Sequence, residues 1–215
     1  MPGLIRHRAK QMRITLERVS KAFGREAVIR ELSHVFETGS RTAILGPNGS
    51  GKSTLLQMVA GASAPSGGTI TCVLNGSVVP AEHVYRHVSI ATPYLGLYED
   101  LTLREAIDVH TAFKPQRGGA DVPTVARTAM LEKHLQKPVR DLSSGMKQRL
   151  KLTLAILSDT PLLLLDEPGS NLDANGMAWF RQLLLANLDG RTLVVASNRQ
   201  TEETFACDRS LDVSR

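Results

Sequence analysis

The nine residues Gly46-Pro-Asn-Gly-Ser-Gly-Lys-Ser-Thr54 constrain this chain more than any others. They match G-x-x-x-x-G-K-[ST], and the surroundings suit the pattern. The short apolar run Thr42–Leu45 before them reads as a buried strand, and Lys52–Ala60 after them has helical spacing. The order has a chemical reason. Glycines let consecutive backbone N–H groups turn inward without Cβ clashes. Those N–H groups form an anion nest at a helix N-terminus. Here the loop that carries the nest comprises Gly46, Pro47, Asn48, Gly49, Ser50, Gly51, Lys52, Ser53 and Thr54. Lys52 adds a point charge for the β and γ phosphates, and the Ser53 hydroxyl is a hard oxygen ligand for Mg2+. The loop by itself implies only that a nucleoside triphosphate binds.

A second feature supplies chemistry. Leu162-Leu-Leu-Leu-Asp166-Glu167-Pro168 ends an apolar strand with two carboxylates. In an open α/β sheet, ligands bind at the C-terminal ends of the strands. Asp166 is thereby placed beside the phosphate loop to hold Mg2+ through water. Glu167 is placed to orient the attacking water or accept its proton.

The rest of the chain alternates strand and helix. Apolar alternation predicts half-buried antiparallel strands at Arg13–Val19 and Glu31–Glu37. Thr69–Leu74 and Ser77–Val79 form a hairpin around Asn75-Gly76. Short strands follow at Val88–Ala91, Leu162–Leu165 and Thr192–Ala196. Helical periodicity covers Leu103–Phe113, Val125–Leu135, Gly145–Leu157 and Ala174–Leu188, with Lys114–Pro123 as a solvated loop rich in Gly and Pro. The alternation implies a mostly parallel sheet. No strand is evident between Pro93 and Leu157, so that stretch reads as a helical lobe inserted into an α/β core.

Composition narrows the setting. With 215 residues, 42% of them hydrophobic, the chain can bury one core or a core with a small lobe. No apolar run approaches the ~20 residues needed to span a bilayer, and the N-terminus lacks the apolar stretch of a signal peptide. Any membrane role is expected to come through a partner. Cys72 and Cys207 have no metal spacing and are expected to be free thiols in the cytoplasm. The net charge of +5 gathers partly in Arg6, Arg8, Lys10 and Arg13. With no aromatic interleaving, it does not point to direct nucleic-acid binding.

Leu142-Ser-Ser-Gly-Met-Lys-Gln-Arg149 resembles the LSGGQ signature of ATP-binding cassette proteins. Phosphate loop, signature and acidic strand occur in that family's order, with Ser170-Asn-Leu-Asp173 where its D-loop belongs. The resemblance covers the chain from Met12 on. It implies a P-loop NTPase core with a mostly parallel sheet, an antiparallel β subdomain and an inserted helical subdomain. Residues 12–92 and 158–215 would form the core with its β subdomain, and 93–157 the helical lobe. Physically, Ser143, Ser144 and Gly145 open a helix and so offer a second anion site. In the family that site completes the ATP site of a second, head-to-tail cassette. The resemblance therefore implies an ATPase whose dimer closes on ATP and Mg2+ and drives separate transmembrane permease subunits. A lone cassette carrying every half-site element favours pairing with itself. It would lie at the inner face of the cell membrane, held there by its membrane partner. Phe23 fits the position whose ring stacks on adenine.

Two departures stand out. The family's glutamine at the end of the strand entering the lobe is missing from Ser89-Ile-Ala-Thr-Pro-Tyr-Leu-Gly-Leu-Tyr98, where Thr92 or Pro93 takes its place. Asn198 stands where the family has its switch histidine. An amide can still donate to a γ-phosphate oxygen but carries no charge. Smaller changes are Ser144 for a glycine, Met146 for the signature glutamine and Asn171 for alanine. The expectation is a slow ATPase, with Glu167, Lys52 and Asn198 at the chemistry. Two other readings stay open: an ATP-gated clamp that barely hydrolyses, and a soluble cassette acting on nucleic acid or ribosomes.

Overall fold

The computed structural model describes residues 11–93, 96–198 and 200–213. Its strands are β1 (Met12–Phe23), β2 (Glu26–Phe36), β3 (Arg41–Leu45), β4 (Gly67–Leu74), β5 (Ser77–Val79), β6 (Val88–Ala91), β7 (Leu162–Asp166), β8 (Thr192–Ser197) and β9 (Arg209–Asp212). Its α-helices are α1 (Lys52–Val59), α2 (Leu103–Phe113), α3 (Val122–Thr128), α4 (Ser144–Leu157), α5 (Ala174–Leu185) and α6 (Thr201–Thr204).

Strands β6-β7-β8-β3-β9 form one all-parallel sheet, and β2-β1-β4-β5 form a second, antiparallel one. Strand β7 is apolar at four successive positions because the parallel sheet is covered on both faces. Leu162 and Leu164 enter a core shared with α1 and the antiparallel sheet, while Leu163 and Leu165 enter one shared with α4 and α5. Period-2 side-chain direction does the sorting. A third apolar cluster lies among α2, α3 and α4, around Leu103, Ile107, Val125 and Leu150. Helix α4 feeds both this cluster and the sheet: Leu150 and Leu154 point into the lobe, Leu152 and Ile156 onto the strands.

The differences from expectation have local causes. Strands β1 and β2 run longer than their alternation suggests. Register shifts and left-handed backbone at Arg18 (φ 45°) and Glu31 (φ 43°) break the period, and Ser33 and Ser20 hydroxyls accept the displaced N–H groups. The turn at Asn75-Gly76 has φ of 50° and 87°, as a two-residue hairpin needs. Helix α3 begins at Val122 with Asp121 as its cap, and Pro123 sits in its first turn, where proline is tolerated. It stops at Thr128, and Met130 (φ 61°) turns the chain into a separate single turn at Glu132–His134. The segment between α2 and α3 is not a solvated loop. Gln116 is buried and bridges to Ser158, and Arg117 donates to the Asn187 carbonyl. Strand β9 was not foreseen; it is short, half polar and at the sheet's edge. Both thiols are free, and burial pushes Cys72 up to about 11 and Cys207 up to about 12.

Candidate nucleotide site

Register brings the sequence-predicted groups to one end of the parallel sheet. Leu45 pairs with Ser197, Asp166 with Ala196, and Ala91 with Leu165. The next residues are Gly46, Asn198, Glu167 and Thr92, so four separate segments emerge side by side at the strands' C-terminal ends. Strand β8 lies between β3 and β7 and so carries Asn198 into the middle.

The loop from Gly46 to Thr54 leaves β3 and enters α1 through Gly51, the helix N-cap at φ 97°. A side chain at position 51 would be excluded twice, by that left-handed φ and by Val28, whose Cγ1 would lie 2.8 Å from a Cβ. The Lys52 ammonium is buried and donates to the carbonyls of Gly46 (2.8 Å) and Pro47 (3.0 Å). Ser50 is buried with no partner for its hydroxyl among the described residues. Pro47, Asn48 and Gly49 are exposed around the turn, and Ser53 and Thr54 are half-buried in the first turn of α1.

Asp166 is only 2% exposed, and neither carboxylate oxygen makes a well-formed hydrogen bond among the described residues. Burial pushes its carboxyl above the usual range, the nearby Ser53 hydroxyl and Lys52 charge pull it back, and Glu167 pushes it up again. Two buried carboxylate oxygens without partners beside a serine hydroxyl suit a hard divalent cation, so these residues fit Mg2+. When bound, such an ion neutralises phosphate charge. Glu167 is half-buried and takes φ 45°, a left-handed conformation rare for a residue with a side chain. Its N–H donates to the Ala196 carbonyl, and its own carbonyl accepts from Ser170, which fixes the turn after β7. Asn198 is exposed at the end of β8; Arg199 lies outside the described residues. Thr92 is buried beside β7, and the Lys151 ammonium reaches the carbonyls of Thr92 (3.4 Å) and Pro93 (3.2 Å). Tyr94 and Leu95 lie outside the described residues, as do Arg6, Arg8 and Lys10.

The signature residues lie against the turn after β7, beside a cavity that the phosphate loop does not line. Ser143 caps α4, its hydroxyl accepting from the Met146 N–H at 3.3 Å, and Ser144 is exposed beside it. Ser143 borders a separate cavity of 370 Å³ with Gly145, Arg149, Asn171 and Asp173. Gly145 packs against the turn after β7: a Cβ there would lie 3.1 Å from the Asn171 carbonyl oxygen. One chain therefore carries two anion-competent helix starts facing different cavities. Phe23 closes β1 rather than sitting in the loop beyond it. It is 56% exposed with the Lys21 ammonium 5.2 Å from its ring centre, a flat surface on which another ring can stack.

Sequence reasoning missed one group at this end of the sheet. Glu203 of α6 is 2% exposed and hydrogen-bonds both Ser197 and Gly169. Nothing in Gln200-Thr-Glu-Glu-Thr204 distinguishes it from its exposed neighbour Glu202; only the fold does.

Comparisons with known proteins give the family. The family model described as "ABC transporter" matches residues 29–170. A Nod factor export ATP-binding protein I of Burkholderia lata is 36% identical over 91% of the chain, and one of Mesorhizobium japonicum is 33% identical over 89%. The chain spans 66% and 57% of these relatives' length. Among solved structures, a dimeric bacterial ABC transporter cassette superposes with a TM-score of 0.79 at 23% identity, covering 94% of each chain. A bacterial Atm1-family ABC exporter with ATP bound gives 0.78 at 23% identity, covering 94% of this chain and 37% of that one. At that identity these structures speak for the fold. The chain belongs to the ABC transporter family, as one of its nucleotide-binding domains.

Proposed function

We propose that the chain binds ATP with Mg2+ and hydrolyses it, as the motor subunit of an ABC export system. The carrying observation is the buried Asp166 carboxylate beside Ser53 and Lys52, neither oxygen in a well-formed hydrogen bond, with Glu167 as the next residue. In this reading Lys52 and the loop from Gly46 to Thr54 hold the phosphates, Ser53 and Asp166 hold the ion, and Glu167 orients the water. Asn198 donates to the γ-phosphate, and Phe23 stacks on the base. Ser143, Ser144 and Gly145 close over the nucleotide of a second, head-to-tail copy; two helix starts facing separate cavities support that pairing. The division into a core of 12–92 with 158–215 and a lobe of 93–157 belongs to the same reading. Export is favoured by the names of the relatives, Nod factor export ATP-binding proteins. Among the described residues no helix is long and apolar enough to cross a membrane; in this reading cargo moves through separate membrane subunits. An apolar groove of 260 Å³ bordered by Ala60, Tyr85, Ile90, Thr92 and Lys114, next to the root of the lobe, suits their docking.

A second reading, an ATP-gated clamp with little turnover, is favoured by the exposed, uncharged Asn198. Steady-state hydrolysis by the purified chain beside Glu167→Gln separates the two. Turnover that falls by about 10²–10³-fold in the variant, with ATP-trapped dimers, supports the motor. Equal turnover in both chains removes Glu167 from the chemistry and sinks the proposal. No turnover in either, with ATP-driven dimers in both, selects the clamp.

A further inference from the structure

The loops that carry Glu167 and Asn198 leave different strands, and one side chain ties them together. Glu203 sits on α6, the short helix after β8, and turns back under both loops. Its Oε2 accepts from the Ser197 hydroxyl at 2.5 Å, and its Oε1 accepts from the Gly169 N–H at 2.9 Å. Ser197 immediately precedes Asn198, and Gly169 lies two residues after Glu167. The Ser197 oxygen also accepts from the Gln200 N–H at 3.2 Å, so the hydroxyl is held from both sides. The chain beyond Gly169 runs to Asn171, whose carbonyl packs on Gly145 of the signature. Position 169 is fitted to this bond. A Cβ there would stand 2.8 Å from Glu203 Oε1, 3.1 Å from its Cγ and 3.2 Å from Met177 Sδ.

We propose that Glu203 is a positioning residue that fixes the Glu167 turn against the Asn198 segment, so that both meet one bound ATP in register. The inference rests on the hydrolytic reading above. It follows from the partners chosen. A buried carboxylate that served only to fill space would cost free energy with no return. This one satisfies a backbone N–H and a hydroxyl on two different loops. Burial pushes its carboxyl up, the bonds from Ser197 and Gly169 pull it down, and the charges of Glu167 and Asp166 push it up again. A neutral amide therefore suits the same place. In Glu203→Gln the amide oxygen accepts from Gly169 and the amide nitrogen donates to Ser197.

The test compares wild type, Glu203→Ala, Glu203→Gln and Gly169→Ala, each assayed well below its melting temperature. Glu203→Ala and Gly169→Ala are expected to lose about 10–10²-fold in kcat, the cost of a small misplacement of reacting groups, with KM for ATP unchanged. Glu203→Gln is expected to stay within about threefold of wild type. The double variant Gly169→Ala/Glu203→Ala should be no slower than either single one, because both break the same bond. In parallel, the Gly169 amide should exchange at least about tenfold faster in Glu203→Ala than in Glu203→Gln by NMR. Wild-type kcat in Glu203→Ala overturns the proposal, as does equal slowing by Ala and Gln. If the wild type itself hydrolyses no ATP, the hydrolytic reading fails on its own. The Gly169 exchange then decides for Glu203, and equal protection in Ala and Gln variants overturns its positioning role.

Discussion

Two buried polar clusters, one at each end of the parallel sheet, are satisfied to different degrees. At the N-terminal end, Arg191 is 3% exposed yet donates to the Ile156 carbonyl and to the hydroxyls of Ser89 and Thr160, leaving only its Nε without a partner. Thr160 donates in turn to Ser89, and Ser158 donates to Leu154 while meeting the His110 ring. That network closes on itself and joins the starts of β6, β7 and β8. At the C-terminal end, both oxygens of Asp166 and the hydroxyl of Ser50 lack partners among the described residues. Leaving such groups unmade costs about 1–3 kcal/mol each. The lesson is that burial alone marks neither end as functional. What sets Asp166 apart is that both oxygens of one buried carboxylate lack a well-formed hydrogen bond beside a phosphate-loop motif.

The contrast can be broken by substitution. Arg191→Met leaves three acceptors short of a donor and is expected to lose about 3 kcal/mol of stability in urea unfolding. The affinity for ATP should stay unchanged, and a loss of affinity with intact stability would erase the distinction between the ends. A smaller effect comes from His110. Burial lowers its pKa to about 4, Lys114 adds to the fall, and a bond to Leu154 opposes it. The folded state thus binds its proton less readily than the unfolded chain does at about 6.5. Its stabilising contribution is full above pH 6.5 and drains away as pH falls towards 4. At pH 5 the loss is about 2 kcal/mol. His110→Asn should flatten that acid limb of the stability curve, and an unchanged limb would place the loss elsewhere.

What the sequence revealed follows the same division. Gly46–Thr54, Asp166-Glu167 and Ser143-Ser-Gly145 are legible because their chemistry is local: each needs particular residues at fixed spacing on one turn of backbone. The hairpin at Asn75-Gly76 is legible for that reason too. The bulges at Arg18 and Glu31 were hidden because their stabilising hydroxyls, Ser33 and Ser20, come from the neighbouring strand. Strand β9 was hidden because an edge strand needs only one apolar partner face. Glu203 was hidden because its two partners lie 6 and 34 residues away. Gln116 and Arg117 look like loop residues by composition, and only contacts with Ser158 and Asn187 hold them down.

The most direct test of an unsatisfied site is whether removing its charge helps the fold and harms the function. Melting of wild type and Asp166→Asn would be followed without ligand, with ATP and EDTA, and with ATP and Mg2+. The account predicts that Asp166→Asn melts above wild type without ligand, by the equivalent of about 1–2 kcal/mol, since the desolvation cost of a buried charge outweighs what Ser53 and Lys52 return. It also predicts that wild type gains further stability when Mg2+ accompanies ATP and that the variant does not. An Asp166→Asn protein that melts below wild type without ligand, or keeps the full Mg2+ increment, would contradict it.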